Sequence, residues 1–257
     1  MPGRTNVGSP NSPTINANNA ISLNGSSQYG IVPTHSALTG LSANSITMEC
    51  WFWSDPASVA YAPIMVLGLD NSATSYFQTT NDDTSATLQS VYYSSTNAYK
   101  GNFDPVFTNS AWHHRAATYN ASTKVVSNYI DGVLIASQFS QTGSGTAPTF
   151  NSAVFTIGRK NTVYFLGKVA CIRLWNVERT AAELLANQNY YLDPLQETGL
   201  IVNVNLAEGS GTTSANTAAS GQTMSLTGTP TWTTGPTLTA KNYQGPRTVA
   251  GTRLVRP

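Results

Sequence analysis

Charge is what this 257-residue chain has least of. Asp, Glu, Lys and Arg make up 10% of its residues, against about 25% in an ordinary soluble domain. A helical bundle, which needs Glu, Lys, Ala and Leu on long periodic stretches, is excluded. The 13 basic and 12 acidic residues leave a net charge of +1, so the chain as a whole has no electrostatic footprint for nucleic acid. Cysteine is also scarce. Cys50 and Cys171 are too few for a disulfide framework and are read as small buried hydrophobes on separate strands. No run approaches ~18 apolar residues, so no membrane-spanning helix is expected. The first ten residues lack an apolar signal region, and with Met1 in place export by the usual route is not expected.

What is present is a third of the chain in Ser, Thr and Asn, with 40% hydrophobic residues. That apolar fraction argues against wholesale disorder. Thr, Val, Tyr and Trp suit strands, and Asn, Ser and Gly suit turns. The length fits one all-β domain of ~200–250 residues with short extensions. Strand candidates include 46–53, 64–69, 76–79, 86–93, 113–119, 155–158, 169–175, 200–206 and 223–226. Asn24-Gly25 separates two apolar segments as a strand, turn and strand. Asp131-Gly132 between 125–130 and 133–138 predicts a hairpin whose two central residues have positive φ. Strict alternation over 169–175 would put Val169, Cys171, Arg173 and Trp175 on one face. Thr180 and Glu183 form a capping box, which predicts one short helix near 180–188. The expected organisation is an arm over 1–19, a domain over 20–234 and a basic arm over 235–257.

Several segments together carry a family pattern. They are Ile21–Pro33, Ser45–Trp51, Trp112–Tyr119, Tyr129–Gly132, Ile157-Gly158, Gly167–Asn176, the helix start at Thr180 and the closing Gly199–Gly211 with Thr229–Trp232. In this order they resemble the laminin-G-like, concanavalin A-like jelly-roll domains of bacterial and phage proteins. The resemblance covers roughly residues 20–234 and implies an antiparallel jelly-roll β-sandwich. It also implies that ligands, where present, sit at the rim or the concave face. Relatives include lectins, glycosidases, calcium-binding adhesion modules and virion accessory domains, so fold alone does not choose among them.

The residues narrow the choice. Glucanase relatives carry carboxylates at alternate positions of one strand, because i and i+2 share a face. No two acids in this chain are two positions apart, and no nucleophile-elbow or phosphate-loop pattern occurs. The expectation is a non-enzymatic protein. His113-His114 are consecutive strand residues on opposite faces and cannot readily share a metal. No cofactor is required. Calcium is the one candidate metal, with Asp70, Asn71, Asp82 and Asp83 as loop oxygen ligands of the right type. For glycan binding the candidates are Tyr92, Tyr93, Tyr99 and Phe103, with one of the adjacent pair Tyr92 and Tyr93 expected in the core. The C-terminal arm holds Lys241, Arg247, Arg253 and Arg256 with no acid. Laid on a neighbouring subunit, it would offset the ordering entropy of ~1–2 kcal/mol per residue. The leading expectation is therefore a virion structural protein, a phage capsid decoration or accessory subunit held by its arms to capsid protein or to neighbouring copies at the virion surface. The alternative is a glycan-binding, extracellular adhesin that recognises host surface carbohydrate.

Overall fold

Alternation of apolar and polar residues sorts the strands into two packed antiparallel sheets. The computed structural model describes residues 18–68, 75–81, 88–94, 97–103, 107–138, 141–142, 150–218 and 222–243. The chain opens with β1 (Asn19–Asn24), β2 (Tyr29–Val32), a one-turn helix α1 (Ser36–Thr39), β3 (Ile46–Ser54), β4 (Pro63–Gly68) and β5 (Ser75–Asn81). It continues through β6 (Leu88–Ser94), β7 (Asn97–Phe103), β8 (Trp112–Tyr119), β9 (Val126–Ile130), β10 (Val133–Gln138) and β11 (Gln141–Thr142). Next come β12 (Val154–Ile157), β13 (Arg159–Lys160), β14 (Val163–Tyr164), β15 (Leu166–Trp175), α2 (Ala181–Asn187) and β16 (Tyr190–Tyr191). The last strands are β17 (Leu200–Val204), β18 (Thr213–Ala215), β19 (Thr223–Thr227), β20 (Thr231–Thr234) and β21 (Thr239–Ala240).

Sheet I runs β10-β9-β8-β3-β15-β1-β20, with β17 alongside the C-terminal half of β15. Sheet II runs β11-β7-β6-β5-β4-β12-β2-β19-β18. The all-β jelly-roll sandwich expected from the sequence is the fold observed. No helix among the described residues is long and apolar enough to cross a membrane.

The core lies between the sheets. Met48, Cys50, Phe52 and Leu174 from sheet I meet Met65, Phe77, Tyr92 and Phe155 from sheet II, all fully buried. Each large apolar side chain buried in this way contributes roughly 1.5–3 kcal/mol. Tyr92 stacks on Tyr119 across the interior, with ring centroids 3.7 Å apart. One polar knot joins the sheets. Arg115 of β8 donates to Ser90 Oγ of β6 at 2.8 Å and to Asn128 Oδ1 of β9. Burial lowers the basicity of this guanidinium to about 9.

Local signals succeed where the partner is close in sequence. Asp131 (φ 52°) and Gly132 (φ 78°) form the expected turn between β9 and β10. Thr180 Oγ1 accepts from the Glu183 amide at 3.3 Å, and Glu183 Oε2 accepts from the Thr180 amide at 2.8 Å, which completes the capping box of α2. Asn24-Gly25 behaves differently. Asn24 Oδ1 accepts from the amides of Ser26, Ser27 and Gln28, but this turn makes no hairpin. It carries the chain from β1 in sheet I to β2 in sheet II.

Two expectations are corrected. A β-bulge between Ala170 and Arg173 breaks the alternation of β15, with Cys171 in the left-handed region at φ 47°. Val169 therefore joins Ile172 and Leu174 in the core, while Cys171, Arg173 and Trp175 face outward. The boundary at 235 also falls inside folded structure. Gly235 N donates to Asn18 O, Leu238 N donates to Asn18 Oδ1, and β21 pairs with β16 in parallel.

Candidate functional site

The two outer faces of the sandwich have different fates. Over sheet I, α2, β16 and β21 form a third layer. Trp51 Nε1 donates to Gln188 O at 2.7 Å, and Leu184 packs on Ala116 and Tyr129. Beneath this layer Glu49 is fully buried. Its Oε1 accepts from Arg173 at 3.1 Å and from Trp175 Nε1 at 3.0 Å, while Oε2 lies 3.2 Å from His114 Nε2. Burial alone would raise the Glu49 pKa. The charges and hydrogen bonds of Arg173 and His114 outweigh it and bring the carboxyl down to about 2. This network is sealed under the third layer and its charges are paired with one another, so it is structural.

Sheet II carries the open face. Along β5, Phe77 and Thr79 point into the core, which leaves Tyr76 and Gln78 outside. On β6 the same period sends Tyr92 in and Tyr93 out. Tyr76 and Tyr93 are register partners, and their rings stack with centroids 5.0 Å apart and planes 23° apart. The β13–β14 hairpin follows β12 through Gly158, whose φ of 81° suits glycine, and it packs against β4. It brings Lys160 Nζ to 3.0 Å from the Tyr76 ring centroid. Arg159 lies over the Tyr29 ring at 3.8 Å, and Tyr164 adjoins Tyr29 at 6.4 Å between centroids. The result is a row of half-buried tyrosines with two cations set into it. Burial, reinforced by Tyr93, pushes the Tyr76 hydroxyl up to about 12. Burial also brings Lys160 down to about 8. Gln78 Oε1, on the same strand face, is buried and has no hydrogen-bond donor among the described residues.

The expected glycan residues divide accordingly. Tyr93 lies on the open face, whereas Tyr92 is wholly buried and is a packing residue. On β7, Tyr99 and Phe103 are the register partners of Tyr92 and Leu88. Sequence reasoning missed Tyr76, Tyr29, Tyr164 and the Arg159-Lys160 pair. The hairpin was signalled by Asn161, which turns it at φ 54°. The calcium candidates Asp70, Asn71, Asp82 and Asp83 lie outside the described residues. Among the described residues, no three His, Cys, Asp or Glu side chains converge as a metal site.

The histidine pair splits between faces. His114 meets Glu49, and His113 Nδ1 lies 2.8 Å from Asp131 Oδ2 at the strand end. The hydrogen bond to Asp131 raises the His113 pKa. Cys50 and Cys171 are free and buried, and burial pushes both thiols up. Of the arm residues, Lys241 lies within the described part of the chain. Its ammonium pairs with Glu197 at 2.5 Å and donates to Asn187 Oδ1 at 2.8 Å, so it serves the fold. Arg247, Arg253 and Arg256 lie outside the described residues.

Two antiparallel sheets, one covered outside and one exposing an aromatic row, define a lectin-like β-sandwich. The model of the concanavalin A-like lectin/glucanases superfamily matches residues 24–185, and the chain belongs to that family. Among solved structures it is similar to a protein of Bacteroides ovatus to which carbohydrate binding is ascribed. The identity is 20% and the TM-score 0.58, with 86% of this chain and 62% of that one covered. The chain thus spans about three fifths of that protein's length. A heptameric SAP-like pentraxin of Limulus polyphemus is 11% identical with a TM-score of 0.50, over 68% of this chain and 82% of that one. Both likenesses concern the fold. No curated protein matches the sequence.

Proposed function

We propose that this chain is a non-enzymatic, lectin-like module that holds a saccharide on the outer face of sheet II. The observation that carries the reading is the stacked Tyr76–Tyr93 pair, half-buried on the outer face of sheet II. Sugar rings present C–H faces that pack on aromatic rings. The Bacteroides ovatus likeness supports the same reading. Action outside the cell follows from this ligand class. No cofactor is needed in this reading, and repeating the binding assay with a chelator checks for calcium.

A glycan array with wild-type protein and Tyr93→Ala is the test. Binding should weaken about tenfold in the variant, the loss of roughly 1.4 kcal/mol. No binding to any saccharide at about millimolar concentration would sink the reading. The virion-accessory role was expected from the missing signal region, the scarce charge and cysteine, the lack of a catalytic set and the terminal arms; the likeness to a protein with ascribed carbohydrate binding favours the glycan reading instead. Detection of the protein in purified particles would restore the virion role.

A further inference from the structure

The strands of sheet II and the β13–β14 hairpin contain Lys100, Arg159 and Lys160 and not one Asp or Glu. Elsewhere several cations pair with carboxylates, Arg173 with Glu49, Arg179 with Glu183 and Glu197, Lys241 with Glu197, while Lys168 lies over the Trp53 ring and Arg115 bonds Ser90 and Asn128. Lys160 has no carboxylate partner among the described residues. Its ammonium is instead half-buried against the Tyr76 ring, with Tyr93 stacked behind. A cation stripped of part of its water and given only a ring face is under-compensated, and an anion completes its shell.

We propose that the saccharide bound on this face is acidic, carrying a carboxylate or sulfate group that pairs with Lys160 while its ring lies against the tyrosine row. This deepens the glycan reading and rests on it. The roles are divided. The aromatic row supplies contact area that any sugar can use. Lys160 supplies a charge-assisted hydrogen bond that only an anionic sugar can accept. Arg159, beside Tyr29, keeps the same sign of potential over the neighbouring part of the face.

The test compares matched pairs on the full chain at neutral pH and physiological salt. Oligogalacturonate is set against its methyl ester for the carboxylate, and dextran sulfate against dextran for the sulfate. The acidic member of at least one pair should bind about tenfold more tightly than its neutral partner. Lys160→Gln should erase that preference while leaving neutral binding in place, and Lys160→Arg should retain it. Lys168→Gln removes the same charge from beside Trp53 and should change nothing. Equal binding of acidic and neutral partners overturns the proposal and leaves the glycan reading intact, and this comparison needs no variant. Equal losses in Lys160→Gln and Lys168→Gln also overturn it, because they mean bulk charge attraction. Failure of all four probes to bind overturns the proposal, and the glycan array then decides the glycan reading by itself.

Discussion

The two outer faces of the sandwich solve opposite problems with similar residues. Sheet I places Glu49, Arg173, His114 and Trp175 outside and then buries them under α2, β16 and β21. There a charge is tolerated because its partners satisfy it. Sheet II places Tyr76 and Tyr93 outside, the β13–β14 hairpin lays Lys160 over the Tyr76 ring, and all three stay half-buried. There a charge sits against ring faces and lacks a counterion among the described residues. A covered network of paired charges holds structure together. An uncovered cation with no carboxylate beside it among the described residues is where the proposed ligand would bind.

The sharpest way to break this comparison uses two adjacent residues. Tyr92→Ala removes a wholly buried ring stacked on Tyr119 and should cost ~3–5 kcal/mol. Tyr93→Ala, one position along on the open face, should cost under ~1.5 kcal/mol of stability yet weaken saccharide binding about tenfold. Urea denaturation of both variants decides it, and equal losses of stability would erase the distinction between the faces. Next is Glu49→Gln, which strands Arg173 and His114 under the covering layer and should cost ~3–5 kcal/mol without altering binding per folded molecule.

Acid should reach the covered face first. The folded Glu49 carboxyl titrates at about 2, below its ordinary 4.5, so the folded form favours the carboxylate. Its contribution is complete above about pH 4.5 and is lost as pH falls toward 2. On the order of 3 kcal/mol should disappear across that window, and Glu49→Gln should lose this part of the pH slope. A wild-type stability curve flat between these limits would count against the network. The smallest effect concerns the cover itself. Thr180→Ala deletes the α2 cap and should cost about 1 kcal/mol, seen as faster hydrogen exchange in α2 with binding unchanged.

What the sequence made legible was local or periodic. The Asp131-Gly132 turn, the Thr180–Glu183 cap and the split of Tyr92 from Tyr93 all follow from contacts within a few residues. The signal at Asn24-Gly25 was equally good, yet its flanking strands join different sheets. Leu23 pairs with Gly167, and Ile31 with Thr156 and Ser225. No turn motif encodes partners that far away. The bulge at Cys171 displaced Val169 for a similar reason, since alternation assumes an uninterrupted ladder. The candidate site was the least legible part. Tyr29, Tyr76, Tyr93 and Lys160 lie far apart in sequence and meet only because β2, β12, β4, β5 and β6 are neighbours in one sheet. Lys241 misled because a basic tail looks solvated until Glu197 is placed beside it.

Asn18 accepts hydrogen bonds from Gly235 and Leu238, and Asn19 is registered against Thr234. Tension acting between Asn19 and Thr234 would open β1 from β20 in the manner of a zipper, one rung at a time. Tension applied at Tyr243 meets the β21–β16 pairing and the Lys241–Glu197 ion pair first, so the final described strand works as a clasp over that zipper.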